Sequence, residues 1–135
     1  MRTEALEHLD RVGLAGLAEQ RADTLSGGQQ QRVAIARTLM QRPSLLLADE
    51  PVASLDPENA GVVMDLLFQV CMEQKLTVVC TLHQIDLALG WAHRLVGLRA
   101  GRKVLDRPAV GASHDDVLDI YRRVDPAVIG SPAGR

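Results

Sequence analysis

The sequence predicts an α/β fold organised around a parallel βαβ core, and three observations lead there. Two short continuous apolar runs, Leu45–Glu50 ("LLLADE", closing on two acids) and Leu76–Leu82 ("LTVVCTL"), have the length and residue content of buried strands. Between them Pro57 and Glu58 open a helix-length stretch with Val62, Val63, Leu66, Leu67 and Val70 as its expected inner face. A strand, a helical crossover and a second strand make a βαβ unit, for which a right-handed parallel arrangement is expected. Ligands of such sheets gather at the carboxyl ends of the strands. Those ends carry Asp49 and Glu50 on the first strand and His83 just beyond the second.

The other elements follow in chain order. Thr3 to Val12 places Leu6, Leu9 and Val12 at helical spacing and stops at Gly13. "GLAGLAEQRAD" reads as a short irregular or helical connector. In "TLSGGQQQRVAIAR", Thr24 to Arg37, Ser26 stands where an N-cap belongs, and Val33, Ala36 and Met40 form one stripe with Ile35 and Leu39 beside it. Ser26, Gly27 and Gly28 are therefore expected to offer bare backbone N–H groups at a helix start, where open donors and the helix dipole favour an anion. Pro43 ends that pattern ahead of the first strand. "RLVGLRAGRKVLD" predicts a two-stranded hairpin turning at Ala100-Gly101. Ser113 then caps a helix with Val117, Ile120, Tyr121 and Val124 on its apolar face, and residues 125–135 are expected to form a mobile tail.

Composition narrows the function classes. A chain of 135 residues with 47% apolar and 24% charged residues has the makeup of a globular domain with a real core. Of its fifteen cations only Lys75 and Lys103 are lysines, yet the net charge is −2, too little to wrap a polyanionic duplex, so no nucleic-acid partner is expected. No apolar run reaches the eighteen or so residues of a membrane span, and "MRTEALEHLD" lacks a signal peptide's apolar segment. The expected location is cytosolic unless a partner docks the chain to a membrane. Cys71 and Cys80 read as reduced packing residues, because two cysteines make no disulfide framework in such a chain and their spacing to His83 and His93 matches no familiar zinc pattern.

The chemistry resides in three places. An aspartate at the end of an apolar strand, followed at once by a glutamate, suits metal-assisted phosphoryl transfer: Asp49 can hold Mg²⁺ directly or through water, and Glu50 can orient an attacking water. The glycine-led helix start supplies an anion site, and His83 adds a polar group at the second strand's end.

With these in order, the sequence resembles the ABC ATPase family. "LSGGQ" at Leu25–Gln29 looks like its signature motif, "LLLADEP" at Leu45–Pro51 its Walker B, "SLD" at Ser54–Asp56 its D-loop and His83 its switch histidine. The wording of "LADEPVASLDP", "TLHQIDLA", "GLRAGR" and "IYRRV" resembles the ATP-binding subunits of phosphonate importers more narrowly. The resemblance implies a nucleotide-binding loop at Ser26, Gly27, Gly28 and Gln29: Ser26 and Gly28 touch the γ-phosphate of ATP held mainly by a second subunit in a head-to-tail dimer, the glycines let the backbone approach its oxygens, and Gln29 helps fix the loop. It further implies that Asp49 serves Mg²⁺, that Glu50 is general base or water-orienting group, that His83 senses the γ-phosphate, and that Asp56 bridges the dimer. Implied partners are that second ATPase subunit, transmembrane permease subunits and, indirectly, a solute-binding protein. The implied place is the cytoplasmic face of the inner membrane, held peripherally.

The departure from the family is large. The phosphate-binding pattern G-x-x-x-x-G-K-[ST] is missing, since Lys75 and Lys103 follow Gln74 and Arg102. The adenine-stacking aromatic and the Q-loop that normally precede the signature are missing too, in keeping with 2% aromatic residues. The chain is thus expected to be the C-terminal part of an ABC-type P-loop NTPase domain, cut or re-initiated at Met1. Residues 1–40 would supply part of the helical subdomain with the signature helix, and 41–124 the Walker B, D-loop and switch-histidine core with its C-terminal hairpin and helix. Such a chain is expected to be catalytically silent alone, with strands short of neighbours. Three alternatives stand: a non-hydrolysing module that pairs with a full-length subunit, an ATPase for another small solute, and a DNA-maintenance ATPase, the last disfavoured by charge and by the lack of long heptad repeats.

Overall fold

The computed structural model describes residues 1–121, which divide into two compact units, Met1–Leu87 and Ala88–Arg135, the second described over 88–121. Val124 and the expected tail at 125–135 lie outside the described residues.

The first unit opens with α1, Arg2–Arg11, which stops at Gly13 as the sequence predicts: the glycine sits at φ 71°, a left-handed conformation that it adopts without a Cβ penalty. Val12 and Leu14 on either side are buried. Two single turns of tight helix, Ala15–Leu17 and Ala22–Thr24, make the connector. Helix α2, Gly27–Leu39, buries Gly28, Ile35, Ala36 and Leu39, while Val33 and Met40 are half-buried, so the inward stripe is rotated from the expected one. The Glu4–Arg42 ion pair at 2.7 Å and an Arg32 guanidinium donating to the Val12 carbonyl at 3.3 Å tie α1 to α2 and to the turn after it.

Strand β1, Leu45–Asp49, pairs in parallel with β2, Thr77–Thr81, through the crossover helix α3, Pro57–Gln74. Asp56 caps α3 and Lys75 ends it at φ 51°. The core face of α3 is Ala60, Val63, Met64, Leu66, Leu67 and Val70. Val62, expected inside, is 46% exposed; it sits just off the face that the other six define. The expectation of two buried strands is corrected, in the direction that the expected shortage of neighbouring strands implies: Leu46 is buried, but Leu45 and Leu47 are 49% and 73% exposed and no β2 residue is fully buried. Among the described residues the pair forms a two-stranded sheet, so one face of each strand lacks the cover that continuous apolar runs anticipate.

After β2 comes α4, Ile85–Trp91, a short helix absent from the sequence reading, which runs from the first unit into the second. The second unit holds the antiparallel hairpin of β3, Arg94–Arg99, and β4, Arg102–Pro108. It turns at Ala100-Gly101, both left-handed at φ 49° and 74°, the geometry that matches strand twist in a two-residue loop. A bulge falls between Gly97 and Leu98. A side chain at Gly97 would collide with Ile120 and crowd Leu105, which explains glycine there. Helix α5, His114–Leu118, has its Ser113 cap reciprocated by Asp116; Val117 is buried, Ile120 half-buried and Tyr121 exposed.

Candidate functional site

All predicted site residues fall in the first unit, in two groups. The first is the start of α2. Ser26 Oγ accepts the Gln29 N–H at 3.3 Å, and Gln29 Oε1 accepts the Ser26 N–H at 2.9 Å, a reciprocal capping box. This corrects the expectation of three bare amides: Gln29 occupies the Ser26 donor, and the open donors are those of Gly27 and Gly28. Gln29 therefore fixes the loop through its own side chain. Gly28 is buried because the start of α3 packs on it; a Cβ there would lie 3.0 Å from Asn59 Oδ1, while one at Gly27 would meet Leu55 Cδ2 at 3.4 Å. Asn59 is itself held by Asp56, which accepts its backbone N–H at 3.1 Å and its side-chain amide at 2.6 Å. Those two donors hold the Asp56 carboxyl below its usual range, the side-chain bond contributing most. Asn59, which sequence reasoning missed, thus joins Asp56 to the glycine loop.

The second group lies at the carboxyl ends of β1 and β2, where Asp49 is in register with Thr81. Glu50 leaves the strand at φ 46°, a left-handed conformation that for a side chain of this kind costs on the order of 1–3 kcal/mol and tends to occur at functional sites. Glu50 Oε1 lies 2.6 Å from His83 Nε2, so residues 33 apart in sequence meet. With its proton on Nε2, His83 donates to that oxygen and leaves Oε2 open to accept from water. Thr81 is the second missed residue: its hydroxyl donates to Asp49 Oδ1 at 2.6 Å and accepts the Glu50 N–H at 2.8 Å. One signal could have found it, since two five-residue strands paired in parallel bring Asp49 and Thr81 to the same end.

Glu50, Val52, Ala53, Leu82, His83 and Gln84 line a cleft of about 170 Å³. Small-molecule sites run to roughly 300–1,000 Å³, so this cleft matches a phosphate or a few waters rather than a whole nucleotide. A metal meets a similar limit: among the described residues no three of His, Cys, Asp and Glu converge into a cage. Mg²⁺ fits nonetheless, because it is typically held by one or two carboxylates with phosphate oxygens and water completing the octahedron. Asp49 offers the kind of donor needed, with Oδ1 taken by Thr81 and Oδ2 remaining.

The chain combines a strand-end Asp-Glu pair facing a histidine with a separate glycine-led helix start on a parallel βαβ core, and it is similar to known proteins of one class. Residues 1–53 match the ABC transporter family. The described fold superposes on the ADP conformation of MJ1267, an ATP-binding cassette of an ABC transporter, with TM-score 0.78 and 27% identity over 88% of this chain and 48% of that one. The dimeric post-hydrolysis state of the ATP-binding cassette MJ0796, bound to ADP and Pi, gives TM-score 0.68 and 38% identity over 82% and 48%. Along its whole length the chain is thus similar to ATP-binding proteins of ABC transporters. Among them, the chain is 81% identical over 135 residues to the phosphate-import ATP-binding protein PhnC of Mycolicibacterium smegmatis, covering 100% of this chain and 51% of that protein. It is 75% identical over 134 residues to the phosphonates import ATP-binding protein PhnC of Nocardia farcinica, covering 99% and 50%. The chain spans about half the length of these curated relatives.

Proposed function

We propose that this chain supplies the hydrolytic half-site of an ABC importer ATPase that energises uptake of phosphonates or a close phosphorus-containing solute. The observation that carries this reading is the meeting of Glu50 and His83 at 2.6 Å beside Asp49, where parallel strands place their ligands. Asp49 Oδ2 would hold Mg²⁺, which would supply positive charge to offset the negative charge developing on the phosphate. Glu50 Oε2 takes the proton of the attacking water, while His83 holds Oε1 and sets the direction of the carboxylate. On arrival of the γ-phosphate, His83 exchanges Glu50 for a phosphate oxygen and so reports occupancy. Ser26, Gly27 and Gly28 offer their helix start to ATP bound by a second subunit, with Asp56 at the dimer seam. Cassette structures solved as dimers support the pairing. Attachment to permease subunits at the inner face of the cell membrane follows from the importer reading. No helix among the described residues is long and apolar enough to cross a membrane, so such attachment would be peripheral.

Relatives named for phosphate import and for phosphonates import both support a phosphorus-containing solute. An ATPase subunit need not touch the solute, so the choice between them rests on names and is decided by uptake assays with each compound.

The test uses a completed cassette, in which this chain is joined to the half carried in addition by the M. smegmatis relative. Glu50→Gln should leave ATP binding intact and lower turnover on the order of a hundredfold or more. Unchanged turnover would remove Glu50 from the reaction. The 135-residue chain alone, which has no G-x-x-x-x-G-K-[ST] loop, should show no Mg²⁺-dependent turnover. Turnover abolished by Glu50→Gln in that chain would contradict the account.

A further inference from the structure

Thr81 spends one hydroxyl on both acids. Its proton goes to Asp49 Oδ1 at 2.6 Å and its oxygen receives the Glu50 N–H at 2.8 Å. A hydroxyl has one proton and two lone pairs, so two such bonds of opposite sense lock its rotor. The parallel register that sets Thr81 opposite Asp49 supplies the strand-to-strand distance, and the left-handed turn at Glu50 brings that residue's N–H back over the same oxygen. Valine has the same branched shape but no polar atom. Serine keeps the hydroxyl with a freer χ1.

We infer that Thr81 is a positioning residue for hydrolysis, a hydroxyl crossbar that leaves Asp49 Oδ2 turned to the cation and holds the Glu50 turn so that its carboxylate stays with His83. Without it Asp49 can rotate and Glu50 loses the acceptor that secures its unfavourable backbone conformation. The inference rests on the hydrolytic reading above.

The completed cassette separates the two. Five forms are compared: the parent, Thr81→Val, Thr81→Ala, Thr81→Ser and Glu50→Gln. Each is measured for kcat, KM for ATP, and affinity for Mn²⁺ in the presence of a non-hydrolysable ATP analogue, followed by electron paramagnetic resonance. Thr81→Val should lower kcat by about tenfold to a hundredfold and weaken Mn²⁺ binding by about tenfold, the effects of losing a partner that orients a metal ligand. KM for ATP should stay within about twofold, because Thr81 acts on the acids rather than on nucleotide binding. Thr81→Ser should recover both quantities to within about threefold, since the bonding groups return. Thr81→Ala is read alongside and should match valine, which keeps the test open if the valine variant fails to fold. Parent-like kcat and Mn²⁺ affinity in Thr81→Val overturn the inference, as does a serine variant as impaired as valine, which would point to packing by the methyl group. If Glu50→Gln leaves turnover unchanged, the hydrolytic reading fails by itself, and Mn²⁺ affinity still decides whether Thr81 orients Asp49.

Discussion

The start of α2 and the carboxyl end of the β1–β2 pair are both polar, glycine- or acid-bearing ends of regular elements, yet they are built in opposite ways. At the helix start nearly every bond is local: Ser26 and Gln29 satisfy each other across three residues, and Gly27 and Gly28 keep the open amides. At the strand end the bonds span 31 to 33 residues, joining Asp49 and Glu50 to Thr81 and His83 only after β1 and β2 have paired. A local device can persist in a partly formed chain, whereas a long-range one exists only once loop closure has been offset by pairing. Breaking the first should therefore show mainly in stability and association. Breaking the second should show in chemistry.

The largest expected effects are those of Glu50→Gln and Thr81→Val at the strand end, given above as losses of turnover. Next comes the link between the helix start and α3. Gly28→Ala gains up to about 1 kcal/mol of helix propensity. Its Cβ, however, forces Asn59 away from 3.0 Å and strains the bonds to Asp56. A net loss of about 1 kcal/mol is expected, since overpacking and a lost hydrogen bond together exceed the gain. Asn59→Ala should relieve it, so a double-mutant cycle measured by denaturant unfolding should show coupling, and strict additivity would break the link. Ser26→Ala removes the cap and should cost about 1 kcal/mol by the same measurement, with little change in kcat per assembled site.

A smaller effect concerns acid. Asp56 is held below its usual range first by the Asn59 side chain, Asp106 first by the Lys103 ammonium and then by Arg94, and Asp116 by the Ser113 backbone and hydroxyl. Each folded carboxyl is more acidic than its unfolded counterpart, so its contribution is complete above the unfolded value near pH 4 and is lost as pH falls through the folded one. Asn59→Ala should make the loss of stability below about pH 4 shallower, because Asp56 then titrates nearer its unfolded value. An acid limb as steep as the parent's would count against that link. Smallest of all, Arg2→Ala should leave stability within about 0.5 kcal/mol of the parent in thermal unfolding. Its ion pair with Glu19 is more than four-fifths exposed on both sides.

The same contrast explains what the sequence made legible. The Ser26 cap, the stop at Gly13, the Ala100-Gly101 turn and the Ser113 cap were all readable because each depends on a few consecutive residues. The parallel pairing was readable from two apolar runs flanking a helix-length crossover. Thr81 and Asn59 were not singled out, because their roles depend on register and on which helix turn packs against Gly28, neither of which periodicity encodes. The exposure of Leu45 and Leu47 was missed at the level of single strands for a related reason: an apolar run states what cover a strand suits, and not which neighbours the chain provides. The bare Ser26 amide was misjudged because Gln29 was read as a loop-fixing residue without asking which donor it would occupy.

The central claim is that these two ends serve different nucleotides, the strand end its own subunit's ATP and the helix start that of its partner. Mixing two completed cassettes tests it most directly: one carries Ser26→Arg, which obstructs the helix start, and the other carries Glu50→Gln. Each is expected to be nearly inactive alone. If the ends act across a head-to-tail dimer, a mixed dimer contains one site with both an intact Glu50 and an intact Ser26, and the mixture should recover ATP turnover that neither variant shows separately. A mixture no more active than its two components would contradict the account and assign both ends to the same nucleotide.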